Sequence, residues 1–425
     1  MTDPVLTDPG QRSAREVFQQ LRKHMQPGLA LAARISGGGA VESSANGARI
    51  TLSDGQSLLD FGSYAVTLLG HRHAAVVAAV RDQLDRMTVS SRVLANPATA
   101  AAAAALVEYL GGALPRTYFG LNGSDVVEAA VKLARLASNR NRVLAVVGGF
   151  HGKTMGALAL THNARYKAGL MPLLPAVTHI APDDPDAVAR EIATGDVAAV
   201  VFEPIQGENG VWPLSGDILA KWAGDARRNG VFVIADEIQT GLSRAGEPAL
   251  AIAAGLPVNA VLVGKALGGG VMPVSALVCD DELYAPLLAD PMIHTATFAG
   301  NPLACAAASA ALDAIDRLTE RGREIAATMA FGLAELQRQY GDLVVDVRGQ
   351  GLLWGLQLAS AKLTNEILTT LVKTGLIVSP CMSRPEVLRL LPPLVATDAE
   401  LAAGLELVDA ALNQAATSAA FIASA

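Results

Sequence analysis

Short apolar runs alternate with amphipathic helical segments from about residue 75 to residue 280. Each run has the length of a short strand, and most are followed by a segment in which apolar residues recur with helical spacing. Strands that alternate with helices are typical of a doubly wound, mostly parallel sheet. The expected strands are residues 117–119, 143–147, 177–180, 197–202, 231–235, 260–263 and 274–278.

The two ends of the chain show a different pattern. Residues 48–52 and 57–61 flank Asp54-Gly55, which predicts a β-hairpin. We therefore predict an α/β fold with a mostly parallel, doubly wound sheet flanked by helices in a large domain, and a smaller α+β domain built from both termini. The predicted boundaries are residues 1–65 for the N-terminal segment of the small domain, 66–305 for the large domain and 306–425 for the C-terminal part of the small domain.

Composition excludes several classes of partner. The formal net charge is −7 with no basic block, so we expect no nucleic-acid partner. No apolar stretch reaches the roughly 18–20 residues of a membrane helix, and no histidine pair has metal-ligand spacing, so we expect neither a membrane span nor a metal site. The 3 cysteines fit no disulfide framework and are expected to be buried in a reducing compartment. The opening residues lack the features of a signal peptide, which predicts a cytoplasmic protein.

Two of the expected strands end in opposite charges. Residues 231–235 run into Asp236, and the next run along the chain, residues 260–264, ends at Lys265. Burial of a charge costs free energy, so packing alone is a poor reason for these two positions. Ligands of open α/β sheets lie at the carboxyl ends of the strands. The pair therefore fits a cofactor that needs a negative charge at one end and an amine at its reactive carbon.

A candidate phosphate site lies at the start of another helical run, earlier in the chain. Gly123 and Ser124 precede residues 126–137, and a helix start offers free N–H groups and the positive end of the dipole. An ordinary N-cap explains a serine or aspartate there as well. The loop at residues 148–154 resembles a nucleotide-binding P-loop, but Val147 stands where the motif needs its first glycine. What remains of that loop is an aromatic ring, Phe150, after a strand.

An aromatic ring, a buried acid, an amine and a helix start that binds phosphate together describe a site for pyridoxal 5′-phosphate. Lys265 condenses with the aldehyde as a Schiff base, and Asp236 keeps the pyridine nitrogen protonated. Phe150 stacks on the ring, and the helix start at Gly123 and Ser124 takes the phosphate.

Eight sequence blocks resemble the class III aminotransferases, which belong to the same large pyridoxal-phosphate fold as aspartate aminotransferase. In chain order they are LLDFGSYAVTLLGHRH, NGSDVVEAAVKLAR, GGFHGKTMGALALT, VFEPIQGENGV, VIADEIQTGLSRAG, VGKALGGGVMP, HTATFAGNPLACAAA and VLRLLPPLV. By this resemblance Gln239 approaches the ring hydroxyl. Thr297 reaches the phosphate of the neighbouring subunit, which implies a homodimer with shared active sites.

The resemblance also implies a substrate switch. Glu208 and Arg389 match a family pair in which the glutamate covers the arginine while an ω-amine donor is bound, and uncovers it for the α-carboxylate of the second substrate. A plain salt bridge between domains is the alternative. Tyr64 matches a position that faces the substrate, unless it is a core tyrosine.

Lys153 departs from part of the family. Ornithine, acetylornithine and 4-aminobutyrate enzymes carry arginine there, whereas lysine is more similar to the putrescine-type branch. A lysine cannot form the two-pronged contact with a carboxylate. A donor without a distal carboxylate is therefore favoured, unless Lys153 is a solvated surface residue.

The expected activity is a ping-pong aminotransferase that moves an amino group from an amine or ω-amino donor to a 2-oxo acid, such as 2-oxoglutarate or pyruvate, through Lys265. A racemase, epimerase or aminomutase on the same scaffold is the first alternative. A non-catalytic or nucleotide-binding protein is the second, and Val147 and Lys265 argue against it.

Overall fold

The computed structural model describes residues 12–424, with side chains up to residue 417. Residues 1–11, which include most of the opening segment expected to lack signal-peptide features, lie outside the described range. The strands are β1 Glu42–Asn46, β2 Arg49–Leu52, β3 Ser57–Asp60, β4 Arg116–Gly120, β5 Arg142–Val146, β6 Ala176–Ile180, β7 Val197–Phe202, β8 Ile205–Gln206, β9 Trp212–Pro213, β10 Phe232–Asp236, β11 Ala260–Val263, β12 Ser275–Cys279, β13 Val344–Gln350, β14 Leu353–Leu358, β15 Leu376–Ile377, β16 Ser379–Pro380 and β17 Val387–Leu390.

Helices connect most of these strands. They are α1 Ala14–His24, α2 Pro27–Ser36, α3 Ala74–Arg86, α4 Pro97–Tyr109, α5 Gly123–Ser138, α6 Met155–Leu160, α7 Ala187–Ile192, α8 Gly216–Arg228, α9 Leu250–Ala253, α10 Asp281–Ala289, α11 Pro302–Arg317, α12 Thr319–Gln339, α13 Ala361–Thr374 and α14 Asp398–Ser424. Within residues 12–424, none of them combines the length and the apolar character needed to cross a membrane.

The seven strands expected from the sequence form one central sheet. Its order is β4-β12-β11-β10-β7-β5-β6, and β12 runs opposite in direction to the other six strands of this sheet. The observed strand ends differ from the predicted ones by no more than one residue. The agreement has a physical reason, because strands buried on both faces appear in the sequence as unbroken apolar runs. The prediction of a mostly parallel α/β sheet is confirmed.

Alternate side chains of the sheet enter two separate cores. Ala199 and Val201 of β7 pack into a cluster with helix α5, while Val200 and Phe202 pack into a cluster that contains Trp222 of α8. Successive strand residues point to opposite faces, so one strand feeds both cores. Helices therefore cover both faces, as a doubly wound sheet requires.

The chain ends meet in smaller sheets. Strands β2 and β3 form the expected antiparallel hairpin, and β15 adds to β3 in parallel, so that both ends of the chain contribute to the sheet β1-β2-β3-β15. A second sheet has the order β13-β14-β17-β16. The domain boundaries proposed at residues 65 and 305 stay a prediction. The three cysteines are buried and unbridged, as expected.

Candidate functional site

A cavity of about 670 Å³ lies at the carboxyl ends of four neighbouring parallel strands. Strand β5 leads into the loop with Phe150 and His151, β7 leads into Glu203, β10 ends at Asp236 and β11 leads into Lys265. These strands are adjacent in the sheet order, so residues far apart in sequence converge on one edge. The cavity is therefore at the place where open α/β sheets bind ligands.

Asp236 is the buried acid of the cavity. As the last residue of β10 it is only 4% exposed, and its Oδ2 lies 2.7 Å from Nδ1 of His151, which is buried too. Its Oδ1 accepts the backbone N–H of Ile238 at 3.2 Å. Burial alone lowers the pKa of His151, but the hydrogen bond and charge of Asp236, with the charge of Glu203, raise it above its usual value. The contact with His151 thus holds the carboxylate of Asp236 in a fixed orientation.

Lys265 begins a 3₁₀ turn directly after β11 and Gly264. Its φ of 42° lies in the left-handed region that non-glycine residues rarely adopt, and such conformations concentrate at functional sites. Burial lowers the pKa of the Lys265 amine. The positive charge of Arg389 adds to this effect, and the charges of Glu208, Asp236 and Glu203 oppose it. A larger fraction of the amine is therefore neutral and nucleophilic at neutral pH.

The start of helix α5 forms one wall of the cavity. Its cap is Asn122, whose side chain accepts the N–H of Asp125 at 3.2 Å, so the alternative that Ser124 or Asp125 is there as an ordinary N-cap does not hold. Asn122 takes this role because the backbone becomes helical only at Gly123. The first N–H groups of a helix have no partner within the helix, and the dipole favours an anion there. Gly123 and Ser124 therefore remain available for a phosphate group.

Gln239 has a side-chain amide donor that meets no acceptor among the described residues. Its side chain is 7% exposed and lines the cavity, and Nε2 has no hydrogen-bond partner among the described residues. A buried amide without a partner costs free energy, so its environment implies a missing acceptor. A ring hydroxyl supplies such an acceptor. With the carboxylate of Asp236, the amine of Lys265, the ring of Phe150 and the helix start, the donor set fits pyridoxal phosphate.

Glu203 is a site residue that the sequence analysis missed. It is 5% exposed, and its Oε1 accepts the backbone N–H of Phe150 at 2.8 Å. Burial raises the pKa of its carboxyl to about 7, helped by the charge of Asp236 and opposed by His151 and Lys265. A signal existed, because Glu203 directly follows a buried apolar run, just as Asp236 does.

The structure brings Glu208 and Arg389 together. Nη1 of Arg389 lies 2.5 Å from Oε1 of Glu208, and the other oxygen of Glu208 accepts the N–H of Met382 at 3.0 Å. Glu208 lines the cavity and Arg389 does not, so the glutamate lies between the cavity and the guanidinium. Burial lowers the pKa of Arg389, but the charge and hydrogen bond of Glu208, together with Cys381 and Glu203, raise it above its usual value. Nε of Arg389 has no partner within the described part of the chain.

The outer end of the cavity contains Tyr64 and Lys153. Tyr64 is 82% exposed and lines the cavity, so it is not a core tyrosine. Nζ of Lys153 lies 4.2 Å from the ring centroid of Tyr166 and 3.8 Å from Sδ of Met382. No carboxylate of residues 12–417 forms an ion pair with Lys153. Although exposed, Lys153 belongs to the cavity, in cation–π contact with an aromatic ring.

Thr297 is not part of this cavity. It is exposed and lines a separate surface cavity with Arg92 and Phe298. Of the predicted site residues, all except Thr297 and Arg389 line the main cavity, and Arg389 contacts one that does. His151, Glu203 and Met382 are additional lining residues to which the sequence analysis gave no role.

Comparisons with known proteins point to one family. A family model described as aminotransferase class III matches residues 38–412. A solved ornithine aminotransferase from Toxoplasma gondii is 30% identical, with a TM-score of 0.81 over 88% of this chain and 90% of that chain. An amine transaminase from an uncultivated Pseudomonas species, solved with pyridoxal phosphate bound, is 27% identical, with a TM-score of 0.81 over 88% of this chain and 95% of that chain. An acetylornithine aminotransferase from Elizabethkingia anophelis is 26% identical, with a TM-score of 0.79 over 95% of this chain and 100% of that chain.

Proposed function

The chain belongs to the class III aminotransferases, and from this premise we propose that it transfers an amino group from an ω-amine donor to a 2-oxo acid in a ping-pong reaction. Family membership confirms the transamination reaction and the pyridoxal-phosphate dependence that the sequence predicted. The ornithine and acetylornithine enzymes among its relatives agree with the putrescine/ornithine-type branch to which its motifs are most similar, although Lys153 stands where arginine is expected in those two enzymes. The residue roles that follow are part of the proposal.

The part of the site that would bind the cofactor ring consists of four residues, Asp236, His151, Phe150 and Gln239. When bound, pyridoxal phosphate supplies an aldehyde carbon for amine exchange and a protonated ring that accepts electrons from the donor carbon. Asp236, fixed by His151, keeps a proton on the ring nitrogen. Phe150 would lie against the ring, and Gln239 would donate to the ring hydroxyl through an amide that has no partner among the described residues.

Lys265 is the proposed proton carrier. Burial lowers the pKa of its amine, so the neutral form needed to attack a carbon or take a proton is accessible at neutral pH. With pyridoxal phosphate bound, the neutral amine of Lys265 would hold and move a proton at its Nζ beside the donor carbon. Its position after β11, in a turn with positive φ, directs the side chain into the cavity.

The single observation that carries the two-substrate proposal is the contact of Glu208 with Arg389. Glu208 covers the guanidinium while an amine donor occupies the cavity. The α-carboxylate of a 2-oxo acid then replaces it and binds the guanidinium in a two-pronged contact. A buried arginine covered by a movable acid serves two dissimilar substrates, a requirement that a racemase or aminomutase does not share.

Lys153 supports a donor without a clamped distal carboxylate. Its ammonium is a single point charge that contacts Tyr166 and Met382. Such a group attracts an anion without fixing its orientation. We therefore propose that no two-pronged contact fixes the distal end of the donor, which lies beside Tyr64 and Lys153 in an open outer cavity.

We also propose a homodimer with shared active sites, in which Thr297 contacts the phosphate bound by the neighbouring subunit. Leu94 and Phe298 line the same surface cavity as Thr297 and are 75% and 53% exposed. Exposed apolar groups of this size mark interaction surfaces. The three buried, unbridged cysteines support the proposal of a cytoplasmic location.

The test is the colour change of each half-reaction. The protein loaded with pyridoxal phosphate is mixed with ornithine, putrescine, lysine or 4-aminobutyrate, and its absorbance is followed before and after a 2-oxo acid is added. We expect an ω-amine to bleach the aldehyde band and 2-oxoglutarate or pyruvate to restore it. Product formation that continues without any 2-oxo acid would contradict a transaminase. A donor set restricted to carboxylate-bearing amines would contradict the role given to Lys153.

A further inference from the structure

Glu203 is a buried carboxyl that the proposed mechanism does not use. It is 5% exposed at the end of β7, and no cation within residues 12–417 lies at ion-pair distance from it. Burial of a carboxyl group without a cation is costly. Such a residue at the wall of a cofactor cavity therefore needs a reason other than packing.

The two oxygens of Glu203 hold two different loops. Oε1 accepts the N–H of Phe150, and Oε2 accepts the N–H of Gly207 at 3.4 Å. We call residues 148–152, which contain Phe150, the stacking loop, and residues 206–210, which contain Glu208, the gate loop. One carboxyl group thus joins the loop that covers the cofactor ring to the loop that covers Arg389.

Gly207 is a fixed point of the gate loop. Its carbonyl oxygen accepts hydrogen bonds from Sγ of Cys381 at 3.3 Å and from Nη1 of Arg389 at 3.5 Å. A Cβ at this position would lie 1.9 Å from Oε1 of Gln239, so any other residue here would displace the Gln239 amide. A movement of Glu208 away from Arg389 therefore acts on a peptide that Glu203 also holds.

We propose that Glu203 is a positioning residue that couples the gate loop to the stacking loop, one carboxyl oxygen to each, so that uncovering Arg389 and orienting the cofactor ring are linked events. The inference rests on the proposed function, because it assumes that Phe150 stacks and that Glu208 moves. Glu203 touches neither substrate in this scheme.

The charge of Glu203 gives this coupling a pH dependence. Asp236 and His151 face it from β10 and the stacking loop, Lys265 faces it from the turn after β11, and Glu208 and Arg389 lie beyond Gly207. An ionised carboxyl accepts well through both oxygens, whereas a protonated one accepts well through one. The raised pKa of Glu203, about 7, places the change between the two forms near neutral pH.

Two variants and one matched control separate coupling from stability. Glu203→Gln keeps the size but directs an amide N–H₂ at one of the two backbone donors. Glu203→Asp keeps the charge but is too short to reach both loops. The control is Glu237→Gln: Glu237 is 1% exposed and accepts the N–H groups of Leu250 and Ala251 at 2.8 Å each, away from the described lining of the cavity.

The measurements are the half-reactions by stopped-flow absorbance, the pH titration of the cofactor band without substrate, and the thermal unfolding of the cofactor-free protein. For Glu203→Gln we expect the KM of the 2-oxo acid to rise by about tenfold or more, the size expected for a lost hydrogen bond to a charged group, and the titration midpoint of the band to move. Glu237→Gln should lower the unfolding midpoint and leave the KM and the titration midpoint close to those of the wild type.

Unchanged KM and band titration in Glu203→Gln would overturn the inference, as would equal changes in Glu237→Gln. If Glu203→Gln does not fold, Glu203→Asp decides: the same rise in KM supports coupling, and wild-type behaviour overturns it. Failure of the wild-type protein to change colour with any amine refutes the proposed function. A normal wild-type response with an unaltered Glu203→Gln refutes only the coupling.

Discussion

The two ends of the cavity are built in different ways. At the cofactor end, Asp236 and Glu203 are 4% and 5% exposed, extend from adjacent buried strands and have fixed hydrogen-bond partners. At the substrate end, Tyr64, Lys153 and Met382 come from three distant segments, and Tyr64 is 82% exposed. In the proposed function a buried sheet edge sets which chemistry occurs, and exposed side chains set which amine enters. Substrate choice can change in such a protein while the reaction stays the same.

The largest effect should come from the cofactor end. Lys265→Ala should lower transamination by about 10⁴-fold or more, because it removes both the attacking amine and the proton carrier. Steady-state turnover with the best donor measures the loss. Lys167→Ala is the matched control: burial also lowers the pKa of Lys167, but its Nζ donates to the carbonyl of Ala159, outside the described cavity. Turnover that survives Lys265→Ala would remove the basis of the comparison.

Arg389 lies behind Glu208, outside the cavity lining, and should affect only one substrate. Arg389→Lys keeps the charge but loses the two-pronged contact, so the KM of the 2-oxo acid should rise by about 10- to 100-fold. The donor half-reaction should change little, and single-turnover rates of both halves measure the difference. Arg321→Lys, in a partly exposed ion-pair cluster with Glu324 and Asp398, should change neither. Equal losses in both half-reactions would mean that the Glu208–Arg389 contact is only structural.

The burial of Glu203 should make stability depend on pH. Its folded-state pKa of about 7 lies above the ordinary value of 4.5, so the folded state keeps a proton that the unfolded state loses, and stability falls as the pH rises from about 5 to 7.5. Glu203→Gln has no carboxyl group to titrate at this position, so its stability should not fall with pH for this reason. Relative to wild type, the cofactor-free variant should gain about 2 kcal/mol between these pH values, as measured by urea unfolding. A constant difference between the two proteins would show that Glu203 is not a buried titrating group.

The smallest effect should come from Lys153. Lys153→Met should change the KM values of amine donors by less than about tenfold, because an exposed point charge contributes little. Lys153→Arg introduces a two-pronged donor and should shift preference toward carboxylate-bearing amines by several-fold. The relative kcat/KM of putrescine and ornithine measures both variants, and Lys362→Met, whose side chain is 88% exposed, is the control. If Lys153→Met lost nearly as much turnover as Lys265→Ala, the proposed difference between the cofactor end and the substrate end would be wrong.

The sequence predicted the cofactor end better than the substrate end for a physical reason. A buried strand leaves an unbroken apolar run, so Asp236 and Lys265 could be placed at strand ends from the sequence alone. Glu203 carries the same signal after β7 and could have been found in the same way. The contact of Lys153 with Tyr166 and Met382 depends on side chains from different segments, whose proximity no local pattern encodes. The Asn122 cap shows the limit at helix ends, where neighbouring polar residues compete for one role.

The pairing of Leu59 with Leu376 has a consequence for synthesis of the chain. The N-terminal end emerges from the ribosome first, so one edge of β3 stays unpaired until residue 376 has been made. Unpaired strand edges promote aggregation. By then residues 123–265, with most of the proposed cofactor contacts, are already complete. A nascent chain stopped before residue 376 would lack both the closing strand and the arginine that receives the second substrate. Residues 376–389, translated after the proposed cofactor contacts, therefore decide whether a chain able to hold the cofactor also becomes one able to bind the second substrate.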